Sequence, residues 1–339
     1  MNLKLELTKR KKELMSTHKI TTQKVNFKVF RFNADEDYLP YYEDYSMDVT
    51  SEEVVLDILN RIKWDHDGSF SYRRSCRHGI CGACAIKVNG RSTLACKESM
   101  TTMIEYFGNE MTIEPLSTKR AIKDMIIDKG DFWKKHEAAT PYVVDEIDET
   151  PELENLLSPA EADALNDADL CIQCGACHYA CPVVEINEDF MGPAAFAAAY
   201  RFEADVRDGD ESRLTDVNQM GSGVWDCVKC FECAEVCPKD VNPIEKIGQL
   251  HNMLFQSGKA ESNVATRHAV GFEKSIKKNG VLDEGGLVLY SEMAGIVKHV
   301  PVALKMFSKG KIVPPWGITK SQNLDEIQKL VKSSTTAKF

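Results

Sequence analysis

Residues 171–182 read Cys171-Ile-Gln-Cys174-Gly-Ala-Cys177-His-Tyr-Ala-Cys181-Pro182, and residues 227–238 read Cys227-Val-Lys-Cys230-Phe-Glu-Cys233-Ala-Glu-Val-Cys237-Pro238. Each stretch spaces its thiols C-x2-C-x2-C-x3-C and closes on Cys-Pro, and the second repeats the first 56 residues later. The other four of the twelve cysteines form a third group, Cys76, Cys81, Cys84 and Cys96, spaced C-x4-C-x2-C-x11-C. None is left over. Scattered core cysteines do not sort themselves into three sets of four, so spacing here is chemistry.

The spacing of the third group is that of plant-type [2Fe–2S] ferredoxins, and the Cys-Pro runs are those of bacterial two-cluster ferredoxins. Cys76, Cys81 and Cys84 supply three thiolates from one tight loop, and Cys96 returns the fourth across a hairpin. Gly79 and Gly82 suit a loop that bends sharply and aims N–H groups at sulfur. His78 lies inside this loop, but no thiolate position is vacant for it. In a Cys-Pro run the first three cysteines wrap one corner of a cubane and the fourth serves the other cluster. One [4Fe–4S] site is therefore expected on Cys171, Cys174, Cys177 and Cys237, and a second on Cys181, Cys227, Cys230 and Cys233. Zinc fits poorly, because its sites draw on two separated C-x2-C knuckles rather than four cysteines within eleven residues. Disulfide frameworks belong to small secreted chains, and this one has 339 residues.

That length suggests about two domains plus extensions. The chain is 43% apolar and 28% charged, as in ordinary globular proteins. A net charge of −10 argues against nucleic-acid binding, which needs a basic field. No apolar run reaches the roughly 18 residues of a membrane span; the nearest, 294–307, is broken by Lys298, His299, Pro301 and Lys305. The basic start, MNLKLELTKRKKELM, is not followed by the apolar core of a secretory signal. There is no nucleotide loop, since Gly221-Ser-Gly223 continues as Val-Trp-Asp, and no nucleophile motif. A chain that only relays electrons needs another subunit to do substrate chemistry.

The pattern predicts an α+β protein. Residues 1–23, with Lys9 to Lys12, read as a solvated arm. Residues 24–125 read as a β-grasp plant-type ferredoxin domain: a strand from Val25, a helix over 51–63 boxed by Thr50 and Glu53, a hairpin turning at Asn89-Gly90, and a strand at 111–114. Residues 126–256 read as an all-α two-cluster domain, with helix starts at Ser158-Pro159-Ala-Glu161, Pro193 and Asn242-Pro243-Ile-Glu245. Residues 257–339 form an extension with a basic stretch (Lys305 to Lys311), Pro314-Pro315-Trp316, and a short helix near 324–331 capped by Asn323 and Glu326. The extension reads equally as packing for the helical domain or as a docking arm.

Residues 24–256 resemble the iron–sulfur subunit of succinate dehydrogenase and fumarate reductase. The likeness rests on Tyr72-Arg-Arg-Ser-Cys76-Arg-His-Gly-Ile-Cys81-Gly-Ala-Cys84, Thr93-Leu-Ala-Cys96, Ile113-Glu-Pro-Leu116, Ile122-Lys-Asp124, Gly192-Pro-Ala194, Ala199-Tyr-Arg-Phe202 and Cys237-Pro-Lys239. The resemblance implies a flavoprotein partner carrying FAD, which interconverts succinate and fumarate, and a membrane-associated quinone-reactive partner. Two departures stand out. Most of the family lacks a cysteine at the Cys230 position and holds [3Fe–4S] as its last cluster, so here a second [4Fe–4S] is expected, with [3Fe–4S] as the alternative. The positions that help form the family's quinone pocket hold Glu185, Ile186 and Val228 instead. The tail adds Arg267-His268, Gly271-Phe272, Ser275-Ile-Lys-Lys-Asn-Gly280 and Lys309-Gly-Lys311, similar to the small iron–sulfur subunit of heterodisulfide reductases. That likeness implies a quinone-reactive partner of the CCG-domain type. The alternative is an electron-transfer subunit of a thiol:fumarate reductase or heterodisulfide-type complex. The expected location is the cytoplasmic face of a membrane, or the periplasmic face if a partner's signal carries the chain across.

Overall fold

A computed structural model describes residues 21–144, 155–292, 296–311 and 318–336. Residues 1–20 of the arm read at 1–23, and Pro314-Pro315-Trp316, lie outside the described residues, while Thr22 and Gln23 already belong to a strand. The chain divides into two compact units.

The first unit comprises residues up to 141 together with 166–201 and 229–246. Its sheet has the order β2-β1-β5-β3-β4, from β1 (Thr22–Arg31), β2 (Tyr41–Thr50), β3 (Ala85–Val88), β4 (Arg91–Leu94) and β5 (Glu110–Glu114). β1 pairs antiparallel with β2 and parallel with β5, and β3 runs antiparallel to both β4 and β5. Alternation sets the core face: Val25, Phe27 and Val29 of β1 are buried beside Tyr45, Met47 and Val49 of β2. The hairpin turns at Asn89 and Gly90, both with positive φ (47° and 80°), as a two-residue type I′ turn requires. Helix α1 (Val55–Arg61) covers the sheet with Val55, Leu56, Ile58 and Leu59 buried. It begins later than the sequence predicts. Glu53 does accept from the Thr50 N–H at 2.7 Å, but that bond closes a turn; the helix starts after Val54, whose N–H donates to Asp57 at 3.0 Å. Past Arg61 the chain continues as a π-helical turn, Ile62–His66.

Two further elements, β2 and α2 (Met100–Phe107), have no counterpart in the sequence reading. The small hairpin of β6 (Ala121–Lys123) and β7 (Ile126–Ile127) is fastened by a buried ion pair. Asp124 accepts from Arg31 Nε at 3.0 Å and from the N–H groups of Phe32 and Ser71, while Arg31 also meets Asp67 at 2.5 Å. Removing either partner of so thoroughly bonded a pair would leave an uncompensated buried charge. α3 (Gly130–Glu137) follows.

The repeated Cys-Pro runs build the helical part. Ser158 and Glu161 exchange hydrogen bonds at 2.7 and 3.3 Å, and α4 (Pro159–Leu165) follows as the capping box predicts. Then come α5 (Ala176–Tyr179), α6 (Pro182–Ile186), α7 (Pro193–Glu203), α8 (Arg213–Val217), α9 (Glu232–Glu235) and α10 (Pro243–Gln256). On α10 the stripe Ile244, Ile247, Leu250 and Leu254 is buried, as its i, i+3, i+4 spacing dictates.

The second unit contains 142–165, 202–228 and the chain from 247. Trp225 stacks on His251 at 4.3 Å and donates to Asn218 at 2.7 Å. The extension folds as α11 (Val264–Asn279), α12 (Glu284–Ser291), α13 (Ile296–Ser308) and α14 (Leu324–Thr336). Gly271 lets α11 approach α12, since a Cβ there would stand 3.0 Å from Tyr290. Gly280 ends α11 in the left-handed conformation, and Gln328 of α14 donates to the Lys277 carbonyl at 2.9 Å. No helix among the described residues is long and apolar enough to cross a membrane.

Candidate metal centres

The loop from Cys76 to Cys84 leads into β3 of the first unit, and the β3–β4 hairpin returns Cys96 to it. Arg77, Gly79 and Gly82 all have positive φ, which curls the loop so that its N–H groups face inward. The N–H groups of His78, Ile80 and Cys81 each lie 3.4 Å from Cys76 Sγ, and that of Gly79 lies 3.2 Å from Cys96 Sγ. These donors, His78 first, then Ile80, with the Cys81 side chain, draw the Cys76 thiol down to about 6. Burial acts oppositely on Cys84, pushing its thiol up to about 12, with Cys96 alongside. His78 itself is exposed.

The first Cys-Pro run is buried deeper. Cys171, Cys174, Cys177 and Cys237 line one cavity together with Ala194, Ala197, Val241 and Pro243. Burial raises the Cys174 thiol to about 11 and the Cys177 thiol well above its ordinary value, and the neighbouring cysteines add repulsion. Cys237 accepts from the Val241 N–H at 3.4 Å. Cys181 is pushed up by burial and faces Cys230. Thus Cys237 joins the first run and Cys181 approaches the second. Cys230 is exposed and Cys233 buried, while Cys227 belongs to the second unit.

All twelve cysteines are free of disulfides. Four thiols crowded into an apolar cavity are costly to ionise unless positive charge sits between them, which an iron–sulfur core supplies; the donor set fits that group. Among the described residues no three His, Cys, Asp or Glu side chains gather around one point as a single ion requires.

The two runs share one backbone. Cys171 (φ −64°, ψ 117°) and Cys227 (φ −67°, ψ 120°) each follow a 3-10 turn. Gln173 and Lys229 are both left-handed (53° and 55°), as are Gly175 and Phe231 (89° and 66°), and each second pair caps a one-turn helix, α5 or α9. Cys230 therefore stands in its loop where Cys174 stands in the other.

Three contacts were not legible in the sequence. A Cβ on Gly82 would lie 2.8 Å from both Cα and Cβ of Cys174, so the first loop rests directly on the second. Lys129 Nζ donates to the carbonyls of Gln173 and Cys174, each at 3.1 Å, and stands over the Phe132 ring at 4.7 Å. Lys97 donates to the Pro238 carbonyl at 2.7 Å. No local motif announces a lysine that bonds carbonyls 45 or 141 residues away. His178, beside Cys177, is buried and lies 3.6 Å from Asp131; burial and then Lys135 hold it down at about 4.

Known proteins are similar to this chain over the segments that carry these cysteines. A 2Fe-2S iron-sulfur cluster binding domain family matches residues 26–134, and a 4Fe-4S dicluster domain family matches 167–241. The fumarate reductase iron-sulfur subunit of Haemophilus influenzae is 34% identical over 236 residues, 66% of this chain and 91% of that one. The chain belongs to the succinate dehydrogenase and fumarate reductase iron–sulfur subunits. The succinate dehydrogenase iron-sulfur subunit of Coxiella burnetii is 32% identical over 235 residues, 68% of this chain and 97% of the relative. A chain of the Mycobacterium smegmatis Sdh1 complex in its apo form superposes with a TM-score of 0.58 at 25% identity, covering 70% of this chain and 98% of that one. This iron–sulfur subunit is thus an α+β electron-transfer component of an oxidoreductase complex, with a [2Fe–2S] domain followed by a helical [4Fe–4S] domain. About a third of it lies outside the match to relatives that are themselves covered almost end to end.

Proposed function

We propose that this subunit relays electrons between an FAD-bearing flavoprotein subunit, which interconverts succinate and fumarate, and a membrane-associated quinone-reactive subunit of the CCG-domain type. Residues 24–125 form the [2Fe–2S] domain, with ligands Cys76, Cys81, Cys84 and Cys96. Residues 126–256 form the cubane domain, one [4Fe–4S] on Cys171, Cys174, Cys177 and Cys237 and one on Cys181, Cys227, Cys230 and Cys233. Bound clusters supply one-electron chemistry; the chain's own residues set their spacing and surroundings.

The observation that carries the reading is Gly82 against Cys174, which brings two cysteine loops into direct backbone contact. Lys129 holds the Cys174 loop and Lys97 the segment after Cys237 through backbone carbonyls, and N–H donors reach the sulfurs of Cys76, Cys96 and Cys237. The CCG assignment is supported by the Cys230 loop, whose backbone repeats that of Cys174, and by the tail motif, whose Gly271 and Gly280 serve helix packing. Exposed Ile186 and Val228 in place of the family's quinone-pocket residues point the same way. The subunit would work at the cytoplasmic face.

Anaerobic purification of the complex tests this. About ten irons per chain, with no [3Fe–4S] signal in the oxidised protein's EPR spectrum, are expected. A strong [3Fe–4S] signal after reconstitution would remove the second cubane, and turnover driven by a dithiol but not by quinol would replace this reading with the thiol:fumarate reductase one.

A further inference from the structure

α13 lies in the extension, outside all three cysteine groups. Val297, Val300, Val302, Leu304, Met306 and Phe307 are all exposed on it. At 100° per residue these side chains cover more than half of the helix circumference. A helix so widely apolar is ordinarily buried; this one faces solvent. It also contains Pro301, which removes a backbone hydrogen bond from the helix interior, so it lacks both core packing and a full ladder.

Its charges run against those of the whole chain. Within a protein of net charge −10, residues 296–311 carry four lysines and no acidic residue. Lys305 is exposed in the arc that the apolar residues leave free, and Lys309, also exposed, follows just past the end of the helix. The nearby carboxylate of Glu292 is bonded to His299 at 2.7 Å. A second copy of this helix would bring like charges together. A broad apolar arc, interrupted at His299 and flanked by lysines, suits a continuous apolar medium with an anionic surface.

We propose that α13 is an interfacial helix that lays this subunit directly on an anionic lipid surface, whichever subunit receives its electrons. The test is co-sedimentation of the full-length, cluster-loaded chain with vesicles of phosphatidylglycerol and phosphatidylcholine, against phosphatidylcholine alone. Binding to the anionic vesicles, weakened by salt, is expected. Lys305→Glu with Lys309→Glu should lower it about tenfold or more. Leu304→Asp with Phe307→Asp should abolish it, while iron content and cluster absorption stay unchanged, because these side chains are exposed. Absence of vesicle binding by the unmodified chain overturns the proposal, and so does binding indifferent to lipid charge or to the substitutions. Loss of a copurifying subunit in the variants, without vesicle binding by the unmodified chain, would make α13 a protein-docking helix instead. Dimers that Phe307→Asp dissolves, again without vesicle binding, would make it a self-association surface.

Discussion

The loops at 171–177 and 227–233 have the same cysteine spacing and left-handed residues at the same two positions, yet their surroundings are opposite. Cys174 is buried, pressed by Gly82 and clamped through its carbonyl by Lys129. Cys230 is exposed. The spacing therefore dictates the local backbone, and tertiary contacts set each loop's surroundings: one is pressed against another cysteine loop, the other is open to solvent.

Equivalent cysteines should consequently fail differently, and this is the largest effect. Cys174→Ser is expected to lose the buried cluster, about four irons per chain, and to lower the yield of folded protein. Cys230→Ser should cost about one iron and leave a [3Fe–4S] signal, with the chain otherwise intact. Iron analysis and EPR of the two variants side by side check this; equal losses would break the distinction between the loops.

Next in size is Gly82→Val. The new side chain meets Cys174 backbone at 2.8 Å, and φ of +70° disfavours a β-branched residue. A loss of about 3 kcal/mol or more is expected from strain and overpacking. Denaturant unfolding measures it, and cluster signals should weaken for the [2Fe–2S] and first cubane sites before the second.

Much of this was readable from residues alone, and where it was not the reason is physical. Cysteine spacing marks covalent chemistry and survives without tertiary information, so all three groups were visible. The hairpin at Asn89-Gly90, the Ser158/Glu161 box and the α10 stripe were visible because each depends on neighbours within a few positions. β2 was hidden because its outward residues are Tyr42, Asp44, Ser46 and Asp48 and its inward face includes Glu43, so that YYEDYSMDVT reads as polar until β1 pairs with it. The late start of α1 was hidden because Thr50 and Glu53 do bond, but around a turn. Gly82 was recognisable as a loop glycine; that its open side faces Cys174 depends on two segments about ninety residues apart.

The smallest effect tests the shared backbone itself. Gly175 and Phe231 occupy matching left-handed positions. Glycine adopts that conformation at no steric cost, whereas a residue with a Cβ loses roughly 1–2 kcal/mol there. Gly175→Ala should destabilise by about that amount, and its Cβ would also press Tyr179 at 3.1 Å. Phe231→Gly should relieve the same strain, offset by the greater freedom of glycine in the unfolded chain, for a net change between about zero and 1 kcal/mol stabilising. Phe231 is exposed, so little core packing is lost. Opposite signs in paired urea titrations would establish that both loops carry one backbone design, which the second holds under strain. A destabilised Phe231→Gly variant would mean that the phenylalanine supports its loop by contact, and the two repeats would then share spacing but not energetics.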